Sequence, residues 1–423
     1  MIETFKNVAS LLLGYALMIM ANALFNTLLG IRMELEQFGA SVTGVVMSAY
    51  FVGLLIGGRS VSRVINRVGH IRSFGLFASV ISITALVHIL WVHPLVWGVM
   101  RVASGFCMAG MITITESWLN ARTDNEHRGQ VLSWYTITNF SAAGLGQFLL
   151  PLADPGEFVL FCLISILFSA ALVPVMATRA AAPTPSPPAR VSVGYLYRLA
   201  PLACMGAMGS GMMNANFYSL APVYTQRIGL SLNQTSLFMA IAVMSGVLLQ
   251  WPLGRLSDRI GRGNVLGTAT LITGVACFAI AMSGAAAGGW LFALAAAYGS
   301  TVFTVYSLSS AQANDLSQPD KLVMTAGALL IAFGIGAILG PVIGGLAMRN
   351  VGPGALFGIN GAIAMAIALY AFRRSAAVRR VRALRVFLPT PSTQFSSGLL
   401  YRRVRDQIER DLRRYGQHPG RRF

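Results

Sequence analysis

The chain has 423 residues, of which 55% are apolar and 11% are charged, and its mean hydropathy is +0.65. These values exclude an ordinary soluble globular protein, in which about a quarter of the residues are charged. The net charge of +18 would suit a nucleic-acid-binding protein, but the basic residues are distributed as in a membrane protein, so we expect no nucleic-acid partner.

Apolar runs recur along the chain, and each is long enough to cross a hydrocarbon core of about 30 Å as a helix. We predict twelve transmembrane helices. They cover residues 8–31, 42–61, 73–92, 95–118, 130–152, 158–177, 200–221, 233–253, 264–283, 288–311, 322–347 and 354–372. The fold class predicted from this pattern is an all-α integral membrane protein.

A segment rich in proline and alanine, residues 178–199, separates the sixth run from the seventh and is predicted to be a cytoplasmic linker. It divides the chain into a six-helix bundle at 1–177 and a second one at 200–373, followed by a basic cytoplasmic tail at 374–423. The two halves match at a constant shift, for example 214 − 22 = 192. The matched pairs are Asn22 and Asn214, Ala23 and Ala215, Phe25 and Phe217, Thr43 and Thr235, Met47 and Met239, Arg67 and Arg259, and Gly69 and Gly261.

This match predicts an internal duplication that builds two pseudo-symmetric bundles of the same orientation. Such bundles suit a transporter, because a substrate site at their interface can face either side as one bundle rocks against the other. The alternative is that the duplication builds a large inert bundle, in which polar groups inside the spans would have no reason to be tolerated.

The basic residues predict the orientation. If both termini are cytoplasmic, 28 of the 32 Lys and Arg lie on the cytoplasmic side, Arg32, Arg227 and Arg349 lie outside, and Arg101 lies within a span. This asymmetry is typical of the positive-inside rule. We therefore expect a multi-pass protein of a bacterial cytoplasmic membrane with both termini in the cytoplasm.

The stretch "GRLSDRIGR", residues 254–262, lies between the eighth and ninth runs. It resembles the loop signature of the major facilitator superfamily, Gly-x-x-x-Asp-Arg-x-Gly-Arg. The matching residues are Gly254, Asp258, Arg259, Gly261 and Arg262. A weaker copy, "SRVINRVGH" at 62–70, keeps Arg67 and Gly69 but has Asn66 at the aspartate position.

A second family pattern, a run of spaced glycines with one proline, lies in the eleventh run. It is formed by Gly327, Gly336, Gly340, Pro341, Gly344 and Gly345. Glycines four residues apart line one ridge of a helix and allow close approach of a neighbouring helix, so tight packing or a hinge is expected. "RVASG" at 101–105 is similar to the family's helix-four arginine motif, and "ESWLN" at 116–120 is similar to a bacterial subgroup of mostly uncharacterised members.

The resemblance covers residues 1 to about 373 and implies a secondary transporter that works by alternating access. It implies that the 254–262 stretch and its copy are a cytoplasmic gate, in which Asp258 accepts hydrogen bonds from a helix of the other bundle; a simple topology anchor is the alternative. We expect a small-molecule substrate, export rather than import, and coupling to an ion gradient, protons above all, without a cofactor. A phosphate-binding Gly-Lys-Ser/Thr loop for ATP is absent from the sequence.

Six polar residues inside the predicted spans are candidates for the substrate cavity or for coupling, because polar groups in hydrocarbon are costly. They are Asn22, Asn26, Arg101, Glu116, Asn214 and Asn216. Interhelical hydrogen bonds are the alternative for the four asparagines. Arg101 suits an anionic substrate group, coupling, or a role in holding the bundle together. For Glu116 a gate contact with arginines of residues 63–72 or with Arg128 is favoured over proton carriage.

Two other classes of function remain as alternatives. One is a transport-inactive sensor with the same fold, and the other is an integral membrane enzyme. No catalytic or metal-ligating residues are expected, because the five histidines are scattered along the chain. The tail places Leu400, Val404, Ile408 and Leu412 on one helical face among arginines, which suits either a helix on anionic lipid or a solvated basic tail. We expect a monomer.

Overall fold

A computed structural model of the chain describes residues 2–121, 123, 127–176, 192–284 and 288–377. All regular elements in these ranges are helices. The long helices are α1 Ile2–Leu35, α2 Ala40–Val68, α3 His70–Leu90, α4 Pro94–Ala121, α5 Arg128–Gln147, α6 Val159–Met176, α7 Pro201–Arg227, α8 Leu232–Ile260, α9 Arg262–Ser283, α10 Trp290–Leu316, α11 Leu322–Asn350 and α12 Ala355–Ala377. Two of them are interrupted, α6 at Ala171 and α8 at residues 246–249.

Ten of these helices are long and apolar enough to cross a membrane. Within the described part of the chain, α5 and α7 are the long helices outside that set. Both carry polar residues along their length, such as Asn139 in α5 and Asn214 in α7, which lower their apolar character. The predicted all-helical membrane fold is confirmed, whereas spanning by α5 and α7 remains a prediction from the sequence.

The two motif stretches differ from the loops that the sequence predicted. Gly254, Asp258 and Arg259 lie in the last segment of α8, Gln250–Ile260, and residues 62–68 likewise belong to α2. The prediction was wrong because the search for spans ends a helix where its apolar run ends, whereas charged residues can continue a helix beyond the membrane. Only one residue separates each pair of helices, Gly69 with a φ of 92° and Gly261 with a φ of 98°.

The two halves repeat the same helical plan. Their helices share boundaries at the same 192-residue shift: α1 ends at Leu35 and α7 at Arg227 (227 − 35 = 192), and α3 begins at His70 and α9 at Arg262 (262 − 70 = 192). In the first half α1 packs on α5, α2 on α4 and α3 on α6, and in the second half α7 packs on α11, α8 on α10 and α9 on α12. The fold is therefore two pseudo-symmetric bundles.

In the described part of the chain the bundles meet mainly through four pairs of long helices, α2 with α11, α5 with α8, α1 with α7 and α2 with α7. Exchanging the halves converts the α2–α11 contact into the α8–α5 contact, as expected of an interface with approximate twofold symmetry. The α2–α11 contact is close enough to require glycine. A Cβ at Gly44 would collide with the carbonyl oxygen of Pro341, and one at Gly345 would collide with that of Ala40.

The predicted linker lies largely outside the described residues, but its end is helical. Val193–Leu199 forms a short helix that is capped by the preceding Ser192, whose hydroxyl accepts a hydrogen bond from the Tyr195 amide at 3.2 Å. This helix is too short to cross a membrane, and the assignment of residues 178–199 as a cytoplasmic linker stays a prediction. The predicted tail lies outside the described residues from 378 onward, together with its proposed lipid-binding face.

Candidate functional site

A cavity lies at the centre of the interface between the two halves. About 580 Å³ of space, counting its open mouth, is left between six helices, α1, α2, α4 and α5 of the first half and α7 and α11 of the second. Its polar lining is formed by the side chains of Asn22, Asn26, Tyr50, Asn139, Asn214 and Tyr218. The apolar lining consists of Ile19, Ala23, Phe51, Met108, Ile112, Ala143, Ala215 and Phe333.

Asn22 on α1 and Asn214 on α7 face this cavity from repeat-related positions. The Oδ1 atom of Asn22 and both amide atoms of Asn214 are buried and have no hydrogen-bond partner among the described residues. A buried polar atom without a partner costs about 1–3 kcal/mol. The Asn22 side chain is hydrogen-bonded to Tyr50, whereas the Asn214 amide has no partner among the described residues, so packing alone does not account for Asn214.

Arg101 on α4 lies directly behind the cavity wall and is fully buried. Its Nη2 donates a hydrogen bond of 2.6 Å to Oδ1 of Asn26, and the Asn26 Nδ2 in turn donates to the Asn22 carbonyl oxygen at 2.8 Å. The guanidinium also lies over the ring of Tyr50, 4.4 Å from its centroid. Arg101 thus fixes two residues of the lining without lining the cavity itself.

Asn216, the remaining asparagine candidate, points into the second bundle. Its Nδ2 donates a hydrogen bond of 2.8 Å to Oδ1 of Asn360 on α12, and it is fully buried. The structure therefore places Asn216 between helices and outside the cavity lining, in the arrangement of an interhelical polar contact.

Glu116 on α4 is buried and connects with the cavity through residues that the sequence did not single out. Its Oε1 accepts a hydrogen bond of 3.1 Å from the Tyr135 hydroxyl on α5. Tyr135 stacks on Tyr15 of α1 with ring centroids 4.5 Å apart, and the Tyr15 hydroxyl donates to Oδ1 of Asn139 at 3.0 Å. A polar path of side chains thus leads from Glu116 to the cavity wall.

No sequence signal could have identified this path, because its members lie on three helices and only their packing brings them together. The predicted partner Arg128 has a side chain outside the described residues, so a contact between Glu116 and Arg128 stays a prediction.

The ends of α1 and α7 and the beginnings of α2 and α8 lie together on one side of the molecule, here termed the Glu34 face. Arg227 joins the halves there by donating from Nε and Nη2 to the two carboxylate oxygens of Glu34, at 2.8 and 2.9 Å. Ser236 of α8 donates to the carbonyl oxygen of Gln147 on α5 at 2.6 Å, and the Gln147 side chain accepts from Thr27 at 2.7 Å. The halves are therefore joined on this face.

The opposite side, here termed the Asp258 face, carries the gate motif. Asp258 pairs with Arg262 at 2.6 Å, and Arg262 also donates to Asp315 at the end of α10 at 3.0 Å. These contacts lie within the second half. Asn66, Arg67 and Arg259 are exposed. Docking of the motif onto the other bundle remains a prediction.

The glycines of α11 pack against α7. A Cβ at Gly336 would collide with the carbonyl oxygen of Met208, one at Gly340 would lie 2.6 Å from that of Met212, and one at Gly344 would lie 2.5 Å from the Asn216 side chain. Pro341 and Gly345 face α2 instead. The motif thus lies where α11 contacts both its own bundle and the other half. Gly327 lies near the beginning of the same helix.

Among the described residues, no group of three or more His, Cys, Asp or Glu could hold a metal ion.

Comparison with known proteins decides the family. The sequence model of the Major Facilitator Superfamily matches residues 11–202 and again 203–404. The chain belongs to this superfamily of transporters. It is a multi-pass membrane protein, and the resemblance seen in the sequence motifs is confirmed.

Two bacterial relatives cover most of the chain. An uncharacterized MFS-type transporter of Enterobacter sp. (strain 638) is 30% identical over 373 residues, which is 88% of this chain and 96% of the relative. The uncharacterized MFS-type transporter YcaD of Shigella flexneri serotype 5b (strain 8401) is 29% identical over 354 residues, covering 83% of this chain and 91% of the relative.

Solved structures share the fold at lower identity. The crystal structure of the nucleoside transporter NupG has a TM-score of 0.73 at 13% identity and covers 87% of this chain and 98% of its own. An inward-facing, unoccupied bacterial homologue of the human lysosomal transporter Spinster has a TM-score of 0.66 at 16% identity, covering 96% and 94%. At these identities the similarity extends to the fold alone.

Proposed function

We propose that the protein is a secondary active transporter that moves a small molecule across a bacterial cytoplasmic membrane by alternating access, with both termini in the cytoplasm. The observation that carries this proposal is the cavity between the halves, where repeat-related Asn22 and Asn214 present unbonded amide atoms. A site at the interface of two matched bundles can open to either side when the bundles rock.

The contacts on the Glu34 face support a mechanism in which this face opens and closes. The Arg227–Glu34 pair, the Ser236–Gln147 hydrogen bond and the α2–α11 contact at Gly44 all join the two halves there. In the proposed cycle these contacts close the outer side while the substrate enters from the Asp258 face. They then separate while that face closes, and the substrate leaves.

We further propose that transport is export coupled to a proton gradient. Glu116 is the acidic residue inside the predicted spans, and a path of hydrogen bonds and stacked rings leads from it through Tyr135 and Tyr15 to the cavity wall. Protonation of a buried carboxylate removes a charge that is costly in hydrocarbon, so its protonation state can be linked to the opening of the site. A gate contact is the alternative role for Glu116.

A thermal-shift screen of small molecules on the purified protein, followed by flux in liposomes with and without a pH gradient, tests this function. We expect at least one stabilising solute to be transported. Its transport should be faster when an imposed proton gradient drives protons in the opposite direction. Glu116→Gln should lose gradient-driven flux but keep exchange, whereas Glu157→Gln, at an exposed site, should keep both.

Flux that responds to the gradient equally in Glu116→Gln would contradict proton coupling through Glu116. Stabilising solutes that are never transported would favour the transport-inactive sensor, and their chemical conversion would favour an enzyme.

A further inference from the structure

Arg101 carries a buried charge without a counter-ion among the described residues. The ion pairs that the structure shows are those of Arg32 with Glu36, Arg227 with Glu34, and Arg262 with Asp258 and Asp315. Glu116 on the same helix is fifteen residues away, or about 22 Å along the axis. A charged group taken out of water needs a partner of opposite sign to offset the loss of hydration.

Two donors of Arg101 also lack acceptors. Nη2 is bonded to Asn26, whereas Nε and Nη1 are buried without a hydrogen-bond partner in the described part of the chain. The Nδ2 atom of Asn214, across the cavity, lacks one as well. Because Arg101 lies behind the wall, its charge acts on a ligand through Asn26 and Tyr50, whereas Nδ2 of Asn214 can donate directly to an oxygen acceptor of the ligand.

The cavity in front of Arg101 has no charge of its own. Its lining contains neither acidic nor basic side chains, and most of its members are apolar or aromatic, including Phe51, Met108 and Phe333. In such surroundings of low polarity the field of a positive charge is screened less than in water. The cavity wall therefore favours a ligand that carries a negatively charged group on an apolar body.

We infer that the cavity binds an amphiphilic organic anion, a small molecule with one carboxylate-type group on an apolar or aromatic body. The inference rests on the proposed transport function and gives its substrate class. Arg101 acts as the counter-charge behind Tyr50 and Asn26 and as a positioning residue for Asn26, while Nδ2 of Asn214 donates a hydrogen bond to the carboxylate of the substrate. The apolar lining holds its body.

A purely structural role for Arg101 would require different properties of its side chain. A residue that only fills the space between Asn26, Tyr50 and Phe25 needs its shape and its hydrogen bond, but its positive charge would then have no effect on which solutes bind. The charge preference of the cavity therefore separates the two roles.

Three sets of probes with matched bodies test the inference on the full-length protein in detergent at pH 7.5. Each contains a carboxylate, its neutral carboxamide and a cationic amine: 3-phenylpropionate, 3-phenylpropionamide and 3-phenylpropylamine; indole-3-acetate, indole-3-acetamide and tryptamine; hexanoate, hexanamide and hexylamine. Binding is measured as a rise in Tm and as Kd by calorimetry. We expect the carboxylate to bind about ten-fold or more tightly than the carboxamide in at least one aromatic set, as for a charge-assisted contact.

Variants of Arg101 identify the source of that preference. Arg101→Gln should reduce the preference for carboxylate over carboxamide to about one, while Arg101→Lys, which keeps the charge, should retain most of it. Arg349→Gln, at an exposed position at the end of α11, is the matched control and should leave the preference unchanged. If Arg101→Gln does not fold, the wild-type order within the three sets decides.

The inference is wrong if carboxamides or amines bind as well as the carboxylates, if no carboxylate of the three sets binds, or if Arg101→Gln keeps the wild-type preference. Flux of a carboxamide or an amine would overturn the substrate class and still support a transporter. Absence of flux for a probe that binds would instead count against the proposed function.

Discussion

Arg227 and Glu34 form a two-point ion pair across the interface, with Nε and Nη2 of the arginine 2.8 and 2.9 Å from the two carboxylate oxygens. The pair joins the end of α7 to the end of α1, one from each half. Since both side chains are about a quarter exposed, water screens the attraction. We therefore attribute to it a contribution of about 1 kcal/mol at most.

Breaking this pair should favour a state in which the Glu34 face is open. Glu34→Arg places like charges across the interface and should raise the ratio of open to closed molecules about five-fold, the equivalent of about 1 kcal/mol. Spin labels at Leu35→Cys and Asn233→Cys, on either side of this face, report the change as a longer distance. The double variant Glu34→Arg with Arg227→Glu should restore the shorter distance, and failure to do so would show that the pair does not hold the face closed.

A side chain at Gly44 should open the same face by a steric route. In Gly44→Val the added atoms would occupy the position of the Pro341 carbonyl, so α2 and α11 could not approach closely, at a cost of about 1–3 kcal/mol to the closed state. The same pair of spin labels measures the effect. Gly358→Ala on α12, where a Cβ meets nothing within 4 Å, is the control. An unchanged distance in Gly44→Val would argue against closure through this contact.

The two turn glycines should be needed for stability in both halves. Gly69 and Gly261 have φ values of 92° and 98° with extended ψ, a region that side-chain-bearing residues rarely adopt. Replacement of either by alanine should cost about 1–3 kcal/mol and lower Tm, although little or nothing lies near the new Cβ. Thermal unfolding in detergent provides the measurement. Equal Tm values for Gly261→Ala and the wild type would show that the hairpin adopts another backbone conformation.

Asn214 and Asn216 should respond in opposite ways to removal of their amides. Asn216→Ala removes the partner of Asn360 from a buried site and should lower stability by about 1–3 kcal/mol. Asn214→Ala removes an amide that has no partner among the described residues and should leave Tm unchanged or raise it, while weakening binding of a stabilising solute. A loss of stability in Asn214→Ala equal to that in Asn216→Ala would assign Asn214 to the framework of the bundle.

The contrast between these two asparagines shows what the sequence could and could not provide. Residues two positions apart in a helix point about 200° apart, so the sequence indicates that Asn214 and Asn216 face different surroundings. It cannot say which of them faces the cavity, because that depends on how α7 is rotated between α11, α10 and α1. The path from Glu116 through Tyr135 to Asn139 was missed for the same reason.

Local features were predicted more completely. The apolar runs located the long helices, and the matched residues at a 192-residue shift located the duplication, since both follow from the order of residues along the chain. The helix ends were predicted less well. Charged residues such as Asp258 mark the limit of the hydrocarbon, but a helix ends where its backbone turns, and here the turn is at Gly261.

In the proposed mechanism the two halves rock about the cavity, so that one face closes as the other opens. Electron–electron distance measurements on two labelled proteins test it most directly, after replacement of Cys107, Cys162, Cys204 and Cys277. One protein carries labels at Leu35→Cys and Asn233→Cys on the Glu34 face, and the other at Arg63→Cys and Arg255→Cys on the Asp258 face. On introducing Gly44→Val, the first distance should lengthen and the second should shorten. Lengthening of both distances, or a change of one with the other fixed, would contradict it.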